Sequence, residues 1–82
     1  MDESRHQILQ AFGSLVKQKR ILRQLSQEEL GFRANLDRTY ISGVERGVRN
    51  PSLVALVQIA SGLEITVSEL LDSLEAESQN IQ

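Results

Sequence analysis

The sequence predicts an all-α domain of five short helices, and three observations carry that prediction. Apolar residues recur at helical spacing from Ile8 to Leu74. Two capping boxes, Ser26-Gln-Glu-Glu29 and Thr66-Val-Ser-Glu69, mark helix starts. Hydrophobic residues make up 40% of the 82 but aromatics only 4%, so the core must be aliphatic. A chain of this length forms one domain, near the small end of what folds unaided.

Residues 1–6 are polar and expected to fray. Ile8, Phe12, Leu15, Val16 and Ile21 then keep a helical spacing up to Arg23. Gly13 within that run costs about 1 kcal/mol relative to Ala, which points to close contact with another helix. Ser26 opens the second helix, its side chain capping the first turn while Glu29 reaches back to the Ser26 N–H. Leu30 and Ala34 face inward, and Asn35, a residue that tolerates the left-handed conformation, ends the helix. Asp37 caps the third helix and Gly47 closes it, with Ile41 and Val44 as one narrow buried stripe between them. Two helices joined by a short turn over residues 26–46 make a helix-turn-helix.

After the loop Val48–Pro51, Ser52 caps a fourth helix that ends near Gly62. Leu53, Leu56, Val57, Ile59, Ala60 and Leu63 make it apolar over more than one face. Thr66 starts the fifth, with Val67, Leu70, Leu71 and Leu74 as its apolar side. Residues 75–82 read as a polar, mobile tail apart from Ile81. The whole chain is one domain: the helix-turn-helix, a dimerisation region over 53–74, and the tail.

The net charge of −2 argues at first against a nucleic-acid binder, and its distribution reverses that. Residues 17–50 hold Lys17, Lys19, Arg20, Arg23, Arg33, Arg38, Arg46 and Arg49 against only Glu28, Glu29, Asp37 and Glu45. Residues 51–82 hold Glu64, Glu69, Asp72, Glu75 and Glu77 with no basic residue. The molecule therefore has a positive end and a negative end. Cysteine is absent, which removes disulfides and thiolate chemistry and fits a reducing cytoplasm. No apolar run approaches the ~18 residues of a membrane span, and no signal core opens the chain. His6 is the single histidine, so neither a nucleophile–base pair nor a metal cluster can be assembled around it, and no glycine-rich phosphate loop is present. An enzyme, a cofactor and a small-molecule substrate are not expected.

On the third helix Arg38, Thr39, Ser42 and Arg46 fall away from the buried stripe. A guanidinium and small hydroxyls on such a face suit base edges in a DNA major groove. Arg38 can donate two hydrogen bonds to guanine O6 and N7, and Thr39 offers a methyl to thymine or a hydroxyl to base or phosphate. Ser42 reaches a base edge or a phosphate, or back-bonds to the carbonyl four residues earlier. Tyr40 packs its ring between helices, or points at the DNA backbone and senses a deformable step. Gly43 implies a shallow reading surface or a closer approach to the groove. Ser26 and Gln27 occupy a helix N-terminus, where free N–H groups attract phosphate. Arg46, Arg49 and Asn50, at and just past the end of the third helix, are phosphate contacts that position without reading.

Leu25-Ser-Gln-Glu-Glu-Leu30, Tyr40-Ile-Ser42, Glu45-Arg-Gly47, Asn50-Pro-Ser-Leu53 and Val67-Ser-Glu-Leu-Leu71 stand in order at the spacings of a known pattern. The chain resembles the phage-repressor and Cro type of helix-turn-helix DNA-binding domain, with a lambda-repressor-like fold. The segment Leu36-Asp-Arg-Thr-Tyr-Ile-Ser-Gly-Val-Glu-Arg46 is similar to the controller proteins of bacterial restriction–modification systems. Two departures, Gly31 for a usual Ala and Asn35 for a usual Gly, keep a small residue where helices touch and a tolerated left-handed turn.

The resemblance implies a homodimeric, sequence-specific transcription regulator of double-stranded DNA, binding a pseudo-palindromic operator as activator or repressor. It implies direct contact by Thr39, favours the DNA-facing reading of Tyr40, and has Gln27 gripping the backbone and bracing the recognition helix. It pairs Arg20 with Glu45 between the first and third helices. Helices four and five hold more aliphatic side chains than a small monomer buries, and Ile65, Val67, Leu70 and Leu74 are the expected two-fold interface. The competing readings are an antitoxin-type repressor that also binds a toxin, and a protein-interaction module on the same scaffold.

Overall fold

The computed structural model describes residues 3–80. Six helices run through them: α1 Glu3–Leu22, α2 Gln27–Ala34, α3 Arg38–Glu45, α4 Leu53–Gly62, α5 Val67–Leu71 and α6 Leu74–Asn80. The expected caps form. Ser26 and Thr66 accept from the N–H groups of Glu29 and Glu69, whose carboxylates accept from the cap N–H in return. These bonds hold both glutamates below the usual carboxylate range, the cap backbone N–H contributing most. Ser52 caps α4 through the Ala55 N–H.

Helix ends share one device. Gln24, Asn35, Glu64 and Gly47 all take positive φ, between 59° and 78°. The N–H of each next residue reaches five residues back, Leu25 to Arg20, Leu36 to Gly31, Ile65 to Ala60 and Val48 to Gly43. This is the Schellman closure, which satisfies carbonyls the helix leaves open. It turns Leu25, Leu36 and Ile65 against the core, whereas Val48 stays exposed. Gly31 serves this turn as well as the contact with α3, because a Cβ there would lie 2.7 Å from the Leu36 carbonyl oxygen and 3.4 Å from the Arg38 nitrogen.

One core, aliphatic except for Phe12, joins the elements: Phe12 and Val16 from α1, Leu25, Leu30 from α2, Ile41 and Val44 from α3, Ile59 and Ala60 from α4, Leu63, and Leu70 from α5. α2 packs on α3 and α4, and α1 packs on α3, α5 and α6.

Several expectations are corrected. The first helix begins at Glu3, because nothing in residues 3–7 breaks it, so residues 3–6 are helical rather than frayed. Ile8 and Ile21 are exposed, and Ala11 joins Phe12, Leu15 and Val16 as the buried face. Residues 75–80 are helical: Ser73, at φ 73°, breaks the fifth helix and α6 folds back onto α1. Leu74 begins this sixth helix rather than ending the fifth. Ile81 lies outside the described residues. Leu70 is fully buried within the chain, so it is a core residue and cannot meet a partner. Ile65, Val67 and Leu74 are half-buried against that core. In the C-terminal half the apolar surface facing outward belongs to α4, where Leu53, Val54 and Val57 are 73%, 68% and 52% exposed; Leu22 of α1 and Phe32 of α2 are exposed as well. No single described helix is long and apolar enough to cross a membrane.

Candidate nucleic-acid interface

α3 carries the site, and its sequence decides which face is free. Ile41, Gly43 and Val44 are buried. Arg38 and Thr39 are exposed, and Tyr40 and Ser42 half-buried. Asp37 does more than cap: one carboxylate oxygen accepts from both the Thr39 N–H, at 2.8 Å, and the Thr39 hydroxyl, at 2.7 Å. These two bonds, the hydroxyl's the stronger, hold the Asp37 carboxyl below its usual value. They also fix the Thr39 rotamer, so its methyl and lone pairs point in one direction. Arg46 extends down the same helix and donates a long bond, 3.4 Å, to the Ser42 hydroxyl. Among the described residues, Arg38, Arg46 and Arg49 make no salt bridge, which leaves their charge for a partner.

The orientation of α3 is held from behind. Arg20 of α1 grips Glu45 with two bonds, Nε to Oε2 at 2.6 Å and Nη2 to Oε1 at 3.1 Å. The side chains are only 12% and 4% exposed. Arg20 also donates to the Leu25 carbonyl at 2.8 Å, and Gln27 of α2 donates to Glu45 Oε1 at 3.1 Å. The bond to Glu45 raises the Arg20 pKa further. One carboxylate thus ties three helices, and the Gln27 amide is a brace on α3. Gly13 permits it: a Cβ there would lie 2.5 and 2.6 Å from the Val44 and Glu45 carbonyls, so α1 and α3 touch backbone to backbone.

Two features escaped the sequence. Gly43 is buried, and a Cβ on it would meet Arg49 Cγ at 2.5 Å. Gly43 is therefore a bed for the Arg49 stem rather than a shallow point on the reading face. Laid across it, Arg49 places its guanidinium 5.4 Å from the Tyr40 ring centroid, in cation–π range. Tyr40 packs one part of its ring on the core and has Arg49 over its face. The clue in the sequence was the glycine itself, an unfavourable residue inside a short helix. Ser26, at the N-cap of α2, and Asn50, in the loop after α3, are exposed.

The helix-turn-helix family model matches residues 16–70, more than half of the chain. Control protein C.MunI of Mycoplasma is 48% identical over 67 residues, covering 80% of this chain and 90% of that protein. The chain belongs to the helix-turn-helix controller proteins. Among solved structures, the restriction-modification controller protein C.AhdI of Aeromonas hydrophila is 47% identical, with a TM-score of 0.74 over 76% of this chain and 94% of that one. A second controller, C.Esp1396I, is 36% identical with a TM-score of 0.79, covering 88% of this chain and 95% of that one. Its structure is a tetramer in complex with its natural 35-base-pair operator. Controllers are transcription regulators, and this chain matches them across the helix-turn-helix and the helices that support it.

Proposed function

We propose that this chain is a cytoplasmic, non-enzymatic regulator of the controller type that reads double-stranded DNA with α3 and acts as a homodimer. The observation that carries it is the division of α3. Ile41 and Val44 anchor it, the Arg20–Glu45–Gln27 tie holds its rotation, and Arg38, Thr39 and Arg46 remain on the outside with Ser42 half-buried among them. Arg38 and Thr39 lead the base contacts, with Ser42 and Tyr40 beside them. Ser26, Gln27, Arg46, Arg49 and Asn50 bind phosphates and set the salt dependence.

The dimer surface combines the exposed Leu53, Val54 and Val57 of α4 with the half-buried Ile65, Val67 and Leu74. Its α4 part is an exposed apolar stretch on the half of the molecule that carries no basic residue. A two-fold pair would set its recognition helices about 34 Å apart along a pseudo-palindromic operator.

Selection of duplexes from a random pool with the purified chain tests both parts. The expected product is a symmetric consensus for which Arg38→Ala loses about 1–3 kcal/mol of discrimination. An asymmetric consensus would defeat the dimer, and no consensus would defeat the base-reading role of α3.

A further inference from the structure

The N-terminal turns of α1 have no role in the interface described so far, yet the fold carries them to the end of the recognition helix. At Gly13 the helix touches the Val44 and Glu45 carbonyls. One turn closer to the N-terminus, Gln10 packs on Gly47, its N and Cα 3.2 Å from where a Gly47 Cβ would stand. Beyond that, Ser4, Arg5, Ile8 and Leu9 line one shallow groove with Asn50. A single stripe of α1 therefore follows the chain from Val44 to Asn50. It delivers Arg5, the one basic residue outside positions 17–50, to the loop that holds Arg49 and Asn50. Ser4, Arg5 and Asn50 are all exposed.

We propose that Ser4 and Arg5 join Asn50 in a DNA-phosphate site on the outer flank of the recognition helix, one contact beyond the helix-turn-helix. The proposal rests on the DNA-binding reading above. The guanidinium, the hydroxyl and the Asn50 amide are all donors to phosphate oxygens, and they approach from a different element than the recognition helix. Glu3, on the same turn, is exposed, and its carboxylate lowers the positive potential around Arg5. Two neighbouring positions thus act with opposite sign, which a purely structural role for this turn would not produce.

Affinity is measured by fluorescence anisotropy at several salt concentrations, for the selected operator and a scrambled duplex, with wild type, Arg5→Gln, Glu3→Gln and Arg38→Ala. Arg5→Gln is expected to weaken both duplexes by the same factor and to make the log–log salt slope shallower by about 0.9. Glu3→Gln is expected to tighten both. If Arg38→Ala loses the operator while Arg5→Gln and Glu3→Gln change neither affinity nor slope, the outer site is overturned and the DNA reading stands. If Arg38→Ala is equally silent, the reading itself has failed and the site falls with it. A loss on Arg5→Gln confined to the operator also overturns it, since a phosphate contact carries no sequence information.

Discussion

The two halves of this domain are held by different physics. In α1–α3 polar, directional ties are added to the apolar packing: Arg20 to Glu45 twice, Gln27 to Glu45, Arg20 to the Leu25 carbonyl. In α4–α6 there is no basic residue, and packing rests on Ile59, Ala60, Leu63 and Leu70. The salt bridge that links the halves, Arg23 to Glu64 at 2.9 Å, is exposed. Hydrophobic burial is non-directional, so it settles that a helix packs but constrains its rotation weakly. A bidentate guanidinium–carboxylate pair has a fixed plane and does constrain rotation. The helix with the directional tie is the one whose outer face must be aimed.

The largest expected effect comes from cutting that tie. Glu45→Ala leaves the Arg20 guanidinium nearly buried without its partner and frees the Gln27 amide, a change worth about 3–5 kcal/mol. Urea unfolding of wild type and variant reads it. The exposed pair gives the contrast: Glu64→Ala removes an interaction worth only about 0.2–1 kcal/mol. Equal losses in the two variants would refute the division between the halves.

Gly13→Ala tests the same division from the backbone. Alanine improves helix propensity by about 1 kcal/mol. Against that, its Cβ would stand under 3 Å from two carbonyl oxygens of α3, atoms that cannot rotate aside. Overpacking costs about 1–3 kcal/mol, and contact with backbone belongs at the upper end. The clash outweighs the propensity, and a net loss of about 1–2 kcal/mol is expected in the same unfolding experiment, with weaker operator binding as α3 is pushed out. A stabilised variant would show that the α1–α3 crossing is not tight.

Local chemistry was legible in the sequence, and tertiary choice was not. Ser26, Asp37, Ser52 and Thr66 cap, and Asn35 and Gly47 turn left-handed, as read, because each works through neighbours two to five residues away. Gly13 announced its crossing for the same reason, a helix position where only a missing Cβ made sense. The Arg20–Glu45 pair was available through family likeness, since nothing local joins residues 25 positions apart. The break at Ser73 was hidden because a serine in the left-handed region carries no glycine or proline to mark it. α4 is apolar on several faces, so periodicity could not say that Leu53 and Val57 stay outside while Ile59 and Leu63 go in. Arg49 over Gly43 depends on where a loop returns, and spacing says nothing of that.

The smallest effect sharpens the comparison most, because it asks the same question of both halves. Gln24 closes α1 and Glu64 closes α4, each a non-glycine residue near φ 60°. The left-handed conformation costs an L-residue about 1–2 kcal/mol, and glycine avoids that while losing more entropy on folding. Gln24→Gly is therefore expected to raise stability by about 0.5–1 kcal/mol. Glu64→Gly relieves the same strain but gives up the bond to Arg23 Nη1, an exposed pair worth about 0.2–1 kcal/mol. Its net gain should be near zero, and an Arg23→Ala background should restore it to the Gln24 value. If Glu64→Gly stabilises as much as Gln24→Gly with Arg23 intact, the exposed pair contributes nothing. The halves would then be joined by apolar packing and the Arg23 Nη2 bond to the Glu64 carbonyl, which glycine retains.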